Sequence, residues 1–524
     1  MRTAALRQSW PLWLVLLLAL AVRLWGITFG LPGLDHGDEP EVVNHAVRFG
    51  GGDLNPHRFQ YGALVQYLLF FIYGLYFAGG YVLGAFRSVH DFALSFVRDP
   101  SVFYLIGRIF SALAGSATVF VAYLVGRRLA GRGAGLLAAG FLALCHQSVV
   151  HSHYATVDTA LAFFFTLAAH RCLVLYDTGA ARDYILAGLF AGFACAVKFN
   201  GVFALMPLLC AHVLRARGGS LEKLFYAASA AIAGLALGNP FSLVEFSSVV
   251  AEIRELDAMH QGGLTAGYLR LLIGPELWGL PLGLACLWGV VSSFWRDRRH
   301  AIIALGCIPV LAFVSRYRYV EAKYILYIVP LLAALGASAI MGLVRSERLP
   351  VIAGILAAAC FSSGALILDW DRAHAGQSIN LEARRWIEHN IPPRAKVLLD
   401  NTGNGGPKLD NDPANVLRQY ERAAATGLMK AEYLKLAAEL RPEVYYNIVL
   451  VDEPAGSRHD DYEQWRSWQD LEKIGMPARY YRERGFDYVI VTGRYFEAMG
   501  SDFELVKEFA RDKEKIRIYK VPPA

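Results

Sequence analysis

The chain has 524 residues, of which 55% are hydrophobic, 13% aromatic and only 18% charged, with a formal net charge of +6. Repeated apolar runs near the roughly 20 residues needed to cross a bilayer exclude an ordinary soluble globule and predict a polytopic α-helical membrane protein. The basic residues fall in short clusters between apolar runs instead of along one face, which argues against nucleic acid as a partner.

The N-terminus carries Arg2 and Arg7, then an apolar run from Trp10 to about Phe29 that is interrupted by Arg23. The run is long and no small-x-small site closes it, so it reads as a retained first span and not a cleaved signal peptide. Directly after it comes LDHGDEPEVVNH (34–45), with Asp35, His36, Asp38, Glu39, Glu41 and His45. A carboxylate in hydrocarbon loses its hydration with nothing to replace it. This cluster therefore belongs at the membrane surface or in a wet cavity.

The next segment, 61–86, is long enough to cross, but Tyr61, Tyr67, Tyr73, Tyr76 and Tyr81 suit the interfacial zone. Further apolar segments follow at about 102–125, 134–147, 156–176, 183–197, 201–214, 223–243, 278–295, 301–314, 324–344 and 349–369. Charge parity decides the topology. With a cytoplasmic N-terminus and no crossing by 61–86, the inside loops hold Arg127, Arg128 and Arg132; Arg182; Arg215, Arg217 and Lys223; Arg296, Arg298 and Arg299; and Arg345 and Arg348. This satisfies the positive-inside rule, with about eleven spans and an external C-terminus; a single crossing by 61–86 would put every one of these loops outside. The seven cysteines, Cys145, Cys172, Cys195, Cys210, Cys286, Cys307 and Cys360, lie in or at the ends of apolar segments and read as small buried hydrophobes.

From about Asp371 the composition becomes that of a soluble α/β domain. LEARRWIEHNI (381–391) has helical spacing and is stopped by Pro392-Pro393, while KVLLD (396–400), YYNIVLV (445–451), DYVIVTG (487–493) and KIRIYKV (515–521) read as strands. The expected division is thus a membrane domain at 1–370, with its first external loop at about 31–101, and an extracytoplasmic α/β domain at 371–524. The Gly/Asn/Asp-rich loop 402–413 matches neither a phosphate loop nor a calcium loop and reads as surface.

The same topology gathers the chemistry outside. Asp38 and Glu39 offer a carboxylate at the membrane surface that can act as general base toward an acceptor hydroxyl. The alternative is a solvated turn in which Asp38 caps the helix starting at Pro40. Arg316, Arg318 and Lys323, with Tyr324, violate the local charge preference, as expected of residues that hold an anion such as a phosphate. Lipid headgroups and snorkelling are the other account of them. His151, His153 and Asp158 read as substrate-positioning residues, because the H-x-H spacing lacks the full ligand set of a zinc site; capping by Thr156 is the alternative. Lys198, in AVKFNG, is a second phosphate candidate, or else a snorkelling lysine. Nothing in the sequence indicates a metal, and a divalent ion stays open as a cofactor.

The order of these features resembles the GT-C fold glycosyltransferases of the protein O-mannosyltransferase and aminoarabinose transferase type, family 39. The matching stretches are GDEPEVVNHAVRFGGGDLNPHRFQYGALVQYLLFF, GRRLAGRGAGLLAAGFLAL, HSHYATVDTALAFFFTLA, GLFAGFACAVKFNGVFAL and RYVEAKYILYIVPLLAALGA, which together cover roughly residues 10–370. The resemblance implies transfer of a sugar from a polyprenyl-phosphate donor to a lipid, glycan or protein acceptor outside the membrane, with inversion at the anomeric carbon. It also implies that Asp38 is the acidic residue of the first loop, that Asp158 is an external acidic position, and that Arg316, Arg318 and Lys323 lie near the lipid phosphate. Gly62-Ala63 departs from the Tyr-Pro-Pro type of entry seen in relatives. The alternative function is a transporter or flippase with Arg23 or Lys198 on a translocation path, although the chain shows no internal repeat.

Overall fold

The structure is a computed structural model that describes residues 2–33, 36–215, 220–344, 346, 348–376, 378–400, 406–428, 430–452, 469–511 and 514–523, without the side chains of 2–9 and 494. Asp35, Arg217, Arg345 and residues 402–405 of the Gly/Asn-rich loop lie outside the described residues. The chain forms two compact units. One comprises Met1–Ile27, Asp38–Tyr73 and Tyr104–Ala373, the other Thr28–Gly37, Gly74–Phe103 and His374–Ala524.

The first unit is built of helices. By length and composition, the helices Leu64–Val82, Ser101–Ala143, Asp158–Thr178, Leu221–Gly238 and the stretch Leu349–Asn390 are long and apolar enough to cross a membrane, and shorter apolar helices run at Trp10–Leu24, Phe199–Leu214, Leu280–Trp295 and Val329–Val344. Ser101–Ala143 is not one rod. It breaks at Ala130 and Gly131, the latter with φ +83°, between the two apolar runs expected there. Only glycine adopts that conformation without strain, and the chain folds back on small residues: a Cβ on Gly126 would lie 2.8 Å from the Ala134 carbonyl oxygen. Helices Ala181–Val197 and Leu221–Gly238 lie still closer, since a Cβ on Gly188 or Gly192 would meet the carbonyl oxygens of Ala227 and Ala231 at 2.0 and 2.1 Å.

The loops of this unit sort into two sets at opposite ends of the helix Asp158–Thr178. At its carbonyl end, Arg128 and Arg299 pair with Asp177 at 2.6 and 2.8 Å. Arg215 donates to the carbonyls of Leu175, Tyr176 and Thr178, and Lys223 to that of Gly179. These cations meet the unsatisfied carbonyls and the negative pole of the helix. At the other end Lys198 reaches Asp158, and Gly62 N–H donates to the Val197 carbonyl. Arg23, wholly buried in the first helix, donates to the carbonyls of Ala19, Leu142 and Ala143 and to the hydroxyls of Ser148 and Ser152. Its charge staples helix ends together.

The second unit contains a six-stranded sheet in the order β3-β2-β1-β4-β6-β5. The strands are β1 (Lys396–Leu399), β2 (Asn447–Val451), β3 (Leu471–Glu472), β4 (Tyr488–Thr492), β5 (Glu504–Arg511) and β6 (Glu514–Lys520). The first four are parallel, and β6 runs antiparallel to both of its neighbours, β4 and β5. Helix Ile379–Asn390 lays Ile379, Ala383 and Ile387, four residues apart, on the face formed by Val397, Ile448, Ile490 and Ile518. Leu398, Val489, Val491 and Tyr519 on the opposite face pack with Tyr481, Phe486 and Phe503. The helix Val89–Arg98 also belongs here, with His90 2.8 Å from Glu439. Among the described residues all seven cysteines are free and buried or half-buried.

Candidate functional site

The helix Glu39–Arg48 begins immediately after Asp38 and carries Pro40 in its first turn, where the missing N–H costs nothing. The Asp38 carboxylate does not cap this helix. Instead Lys323 donates to it at 3.0 Å, bridging also to Glu321 at 3.1 Å. Burial works against the Lys323 charge, but Asp38, Tyr324 and Glu321 outweigh it and hold the ammonium well above the usual lysine range.

A second pair stands beside the first. Lys198 follows the helix Ala181–Val197 and donates to Asp158 at 3.0 Å. Its Nζ lies 5.3 Å from the centre of the Tyr61 ring and 5.6 Å from that of Tyr324, and Lys323 Nζ is likewise 5.6 Å from Tyr324. Ammonium groups over aromatic faces are favoured by the ring quadrupole. Burial, then the charges of Asp38 and Asp158, push the Tyr61 phenol well above its ordinary range, so it stays a neutral hydrogen-bonding group. Asp38, Asp158, Lys198, Lys323 and Tyr324, scattered over the sequence, thus share one site with Tyr61.

Other candidates are positioned differently. Glu39 is fully buried: its two oxygens accept from Nε and Nη2 of Arg108 at 2.7 and 2.8 Å, and one also accepts from the Ala155 N–H. Arg108 donates further to the Ile27 carbonyl. His153 is also fully buried, with Nδ1 and Nε2 each 2.9 Å from a carbonyl oxygen, of Val149 and Trp25. The Asp371 carboxyl lies 3.8 Å from Nε2. His151 is half-buried beside Tyr154. Arg316 is exposed over the Phe313 ring and Arg318 over Tyr319. Thr156 does not cap the helix Asp158–Thr178, whose N-cap is Val157 with no side-chain bond.

Sequence reasoning passed over Glu321, Arg108 and His260. The His260 ring is 2.7 Å from the Tyr324 hydroxyl and also 2.6 Å from the Leu256 carbonyl. The chain around it pairs with the cationic loop through Arg318 N–H to the His260 carbonyl and Gly262 N–H to the Arg316 carbonyl. A histidine ending a helix before Gly262-Gly263, in a loop on the same side as the other candidates, was the available signal.

Comparison with known proteins agrees with this architecture. A family model describing dolichyl-phosphate-mannose-protein mannosyltransferase matches residues 105–243. An undecaprenyl phosphate-α-4-amino-4-deoxy-L-arabinose arabinosyl transferase from Pseudomonas aeruginosa (strain UCBPP-PA14) is 28% identical over 378 residues, covering 66% of this chain and 60% of the relative. The crystal structure of ArnT from Cupriavidus metallidurans bound to undecaprenyl phosphate superposes with a TM-score of 0.56 at 13% identity, over 98% of both chains. Its apo form gives the same TM-score at 14% identity, over 97% of this chain and 98% of that one. The chain is therefore a multi-pass membrane protein of the GT-C glycosyltransferase fold with a C-terminal α/β domain.

Proposed function

We propose that the chain is a glycosyltransferase that moves a sugar from a polyprenyl-phosphate donor to a lipid, glycan or protein acceptor at the extracytoplasmic face of a bacterial inner membrane. The observation that carries this reading is the convergence of two lysine–carboxylate pairs, Asp38–Lys323 and Asp158–Lys198, around the rings of Tyr61 and Tyr324. Two cations beside two carboxylates suit a reaction in which one substrate ends in a phosphate and the other gives up a proton.

On this reading the donor phosphate draws Lys323 and Lys198 onto itself, with Arg316 and Arg318 at the rim, and frees Asp38 from its ion pair. The acceptor hydroxyl oxygen then attacks the anomeric carbon while its proton passes to the Asp38 carboxylate. The bond from that carbon to the phosphate oxygen breaks with its electron pair, and polyprenyl phosphate departs. Attack opposite the leaving group inverts the carbon. The lysines lower the barrier by meeting negative charge that grows on the leaving oxygen. Asp158 keeps Lys198 aimed, His151 borders the acceptor side, and Glu39 and His153 act as positioning residues. Undecaprenyl phosphate, named with both relatives, is the lipid carrier to test first.

A transporter is less well supported, since among the described residues Arg23 donates to the carbonyls of Ala19, Leu142 and Ala143 and to the hydroxyls of Ser148 and Ser152, groups that its charge holds together. Purified protein incubated with radiolabelled undecaprenyl-phosphate-linked sugars and a hydroxyl-bearing acceptor should move the labelled sugar to the acceptor and release undecaprenyl phosphate, and Asp38→Asn should lower that turnover by at least about 10²-fold, the lower end of general-base contributions. Near-normal turnover in the variant would remove Asp38 from its role. Sugar movement across proteoliposomes without bond cleavage would favour transport.

A further inference from the structure

The helix Glu39–Arg48 has two faces. Glu39, Val42, Val43 and Ala46 are buried, whereas Asp38, Glu41 and His45 recur at the three- and four-residue spacing that stacks side chains on one side. At 1.5 Å per residue, His45 lies about 10 Å along the axis from Asp38. Against the middle of this helix stands Gln66, in the first turn of Leu64–Val82 and only 3% exposed. Its Nε2 donates to the Glu41 carbonyl oxygen at 3.4 Å. That contact fixes the amide, because the flipped form would set two carbonyl oxygens against each other.

The Gln66 Oε1 is then left without a partner. So is Nδ1 of His45, which has the Glu41 carboxylate at 4.0 Å, beyond hydrogen-bond reach. Burial, with the charges of Arg48 and Arg58, lowers the proton affinity of His45 more than the carboxylate and carbonyl of Glu41 raise it, so the ring is neutral, with one nitrogen that donates and one that accepts. An unmet buried polar atom is costly, because it has given up its hydrogen bonds to water without replacing them. Two such atoms flank Glu41, whose charge reaches the Tyr61 hydroxyl together with those of Asp38 and Asp158. Glu41 lies one turn from Asp38 on the same side of the helix, so the two positions adjoin.

A carbonyl oxygen that needs a donor, an imidazole that can give or take, and a part-exposed carboxylate that accepts do not suit a phosphate, which would face acceptors. Their complement is a group that both donates and accepts at several points. We propose that Glu41, His45 and Gln66 form a hydroxyl-reading subsite that holds a sugar ring beside Asp38, the ring of the donor or that of the acceptor. This rests on the transferase reading above.

The test uses the purified full chain, wild type, Gln66→Leu and Glu41→Gln. Melting is followed alone, with undecaprenyl phosphate, with undecaprenyl-phosphate-linked pentoses and hexoses, and with lipid A as a polyol acceptor. Gln66→Leu removes an unmet oxygen at nearly constant volume, so it should melt higher without ligand and still gain from undecaprenyl phosphate. It should lose the extra shift that a sugar-bearing ligand gives the wild type, with affinity for that ligand about tenfold weaker. Loss confined to the linked sugars assigns the donor ring, and loss confined to lipid A assigns the acceptor. If Gln66→Leu and Glu41→Gln both keep every increment of the wild type, the subsite is overturned. If the wild type responds to no ligand at all, the transferase reading fails and takes the subsite with it.

Discussion

Glu39 adjoins Asp38 in the chain yet faces away from it. Successive side chains on a helix point about 100° apart, so a pair at the first turn cannot both address one cavity. Asp38 goes to Lys323, and Glu39 goes inward to Arg108. The two carboxylates should therefore fail differently. Glu39→Gln leaves the Arg108 guanidinium buried without its countercharge, a loss on the order of 3–5 kcal/mol that a melting curve in detergent would read as a sharply lowered midpoint. Asp38→Asn breaks a part-exposed pair, which is worth less than about 1 kcal/mol, so its midpoint should stay close to that of the wild type. A Glu39→Gln protein that melts normally but has lost turnover would return Glu39 to the reacting centre. The spacing already held a hint: Glu39, Val42, Val43 and Ala46 share the buried face, and Asp38, Glu41 and His45 the other. The sequence has no comparable sign for His153, because its fate depends on Trp25, Val149 and Asp371, which lie far apart or on another turn.

At the scale of elements, the approach of residues 61–63 to the end of the helix Ala181–Val197 builds one wall of the site. Gly62 N–H donates to the Val197 carbonyl at 3.1 Å, and a Cβ on Gly62 would come within 2.0 Å of the Ala196 carbonyl oxygen. A backbone oxygen at a helix end cannot move aside cheaply. This close approach sets the Tyr61 ring under Lys198 and accounts for glycine at a position where the family resemblance leads one to expect proline. Gly62→Ala should displace the segment at a cost of about 1–3 kcal/mol, the usual range for overpacking. Sugar transfer should fall at least about tenfold, since a shift of 1 Å at a site is felt strongly; unchanged turnover would show that the Tyr61 wall is dispensable. Elements with strong periodicity were legible: helix Ile379–Asn390 and strands β1, β2, β4 and β6 fall within or beside the stretches read for them. Strand β3 has two residues, and β5 is an edge strand, ELVKEFAR, mostly exposed on both faces, so neither shows an alternating pattern.

Across the whole molecule, the topology follows from which loops touch. The ion pair Asp38–Lys323 puts the first loop and residues 315–323 on one side of the membrane. Eight of the apolar segments lie between residue 100 and residue 315, counting the two halves of Ser101–Ala143 separately. If all eight cross, residues 83–100 share the side of Lys323 and hence of Asp38, and Leu64–Val82 cannot make a single crossing despite its length. His90 against Glu439 carries the same parity to the C-terminal domain, ten segments later. The opposite set, Arg128, Arg215, Lys223 and Arg299, gathers at the other end of Asp158–Thr178, as cytoplasmic cations should. Single cysteines decide the matter, since the seven native thiols are buried or half-buried. In intact cells a membrane-impermeant maleimide should label Leu83→Cys, where the native side chain is 85% exposed, and should reach Arg182→Cys only after the membrane is opened. Labelling of Arg182→Cys in intact cells with protection of Leu83→Cys would invert the orientation. Protection of Leu83→Cys alone would make Leu64–Val82 a span, and one of the eight segments would then have to be re-entrant for Asp38 still to meet Lys323.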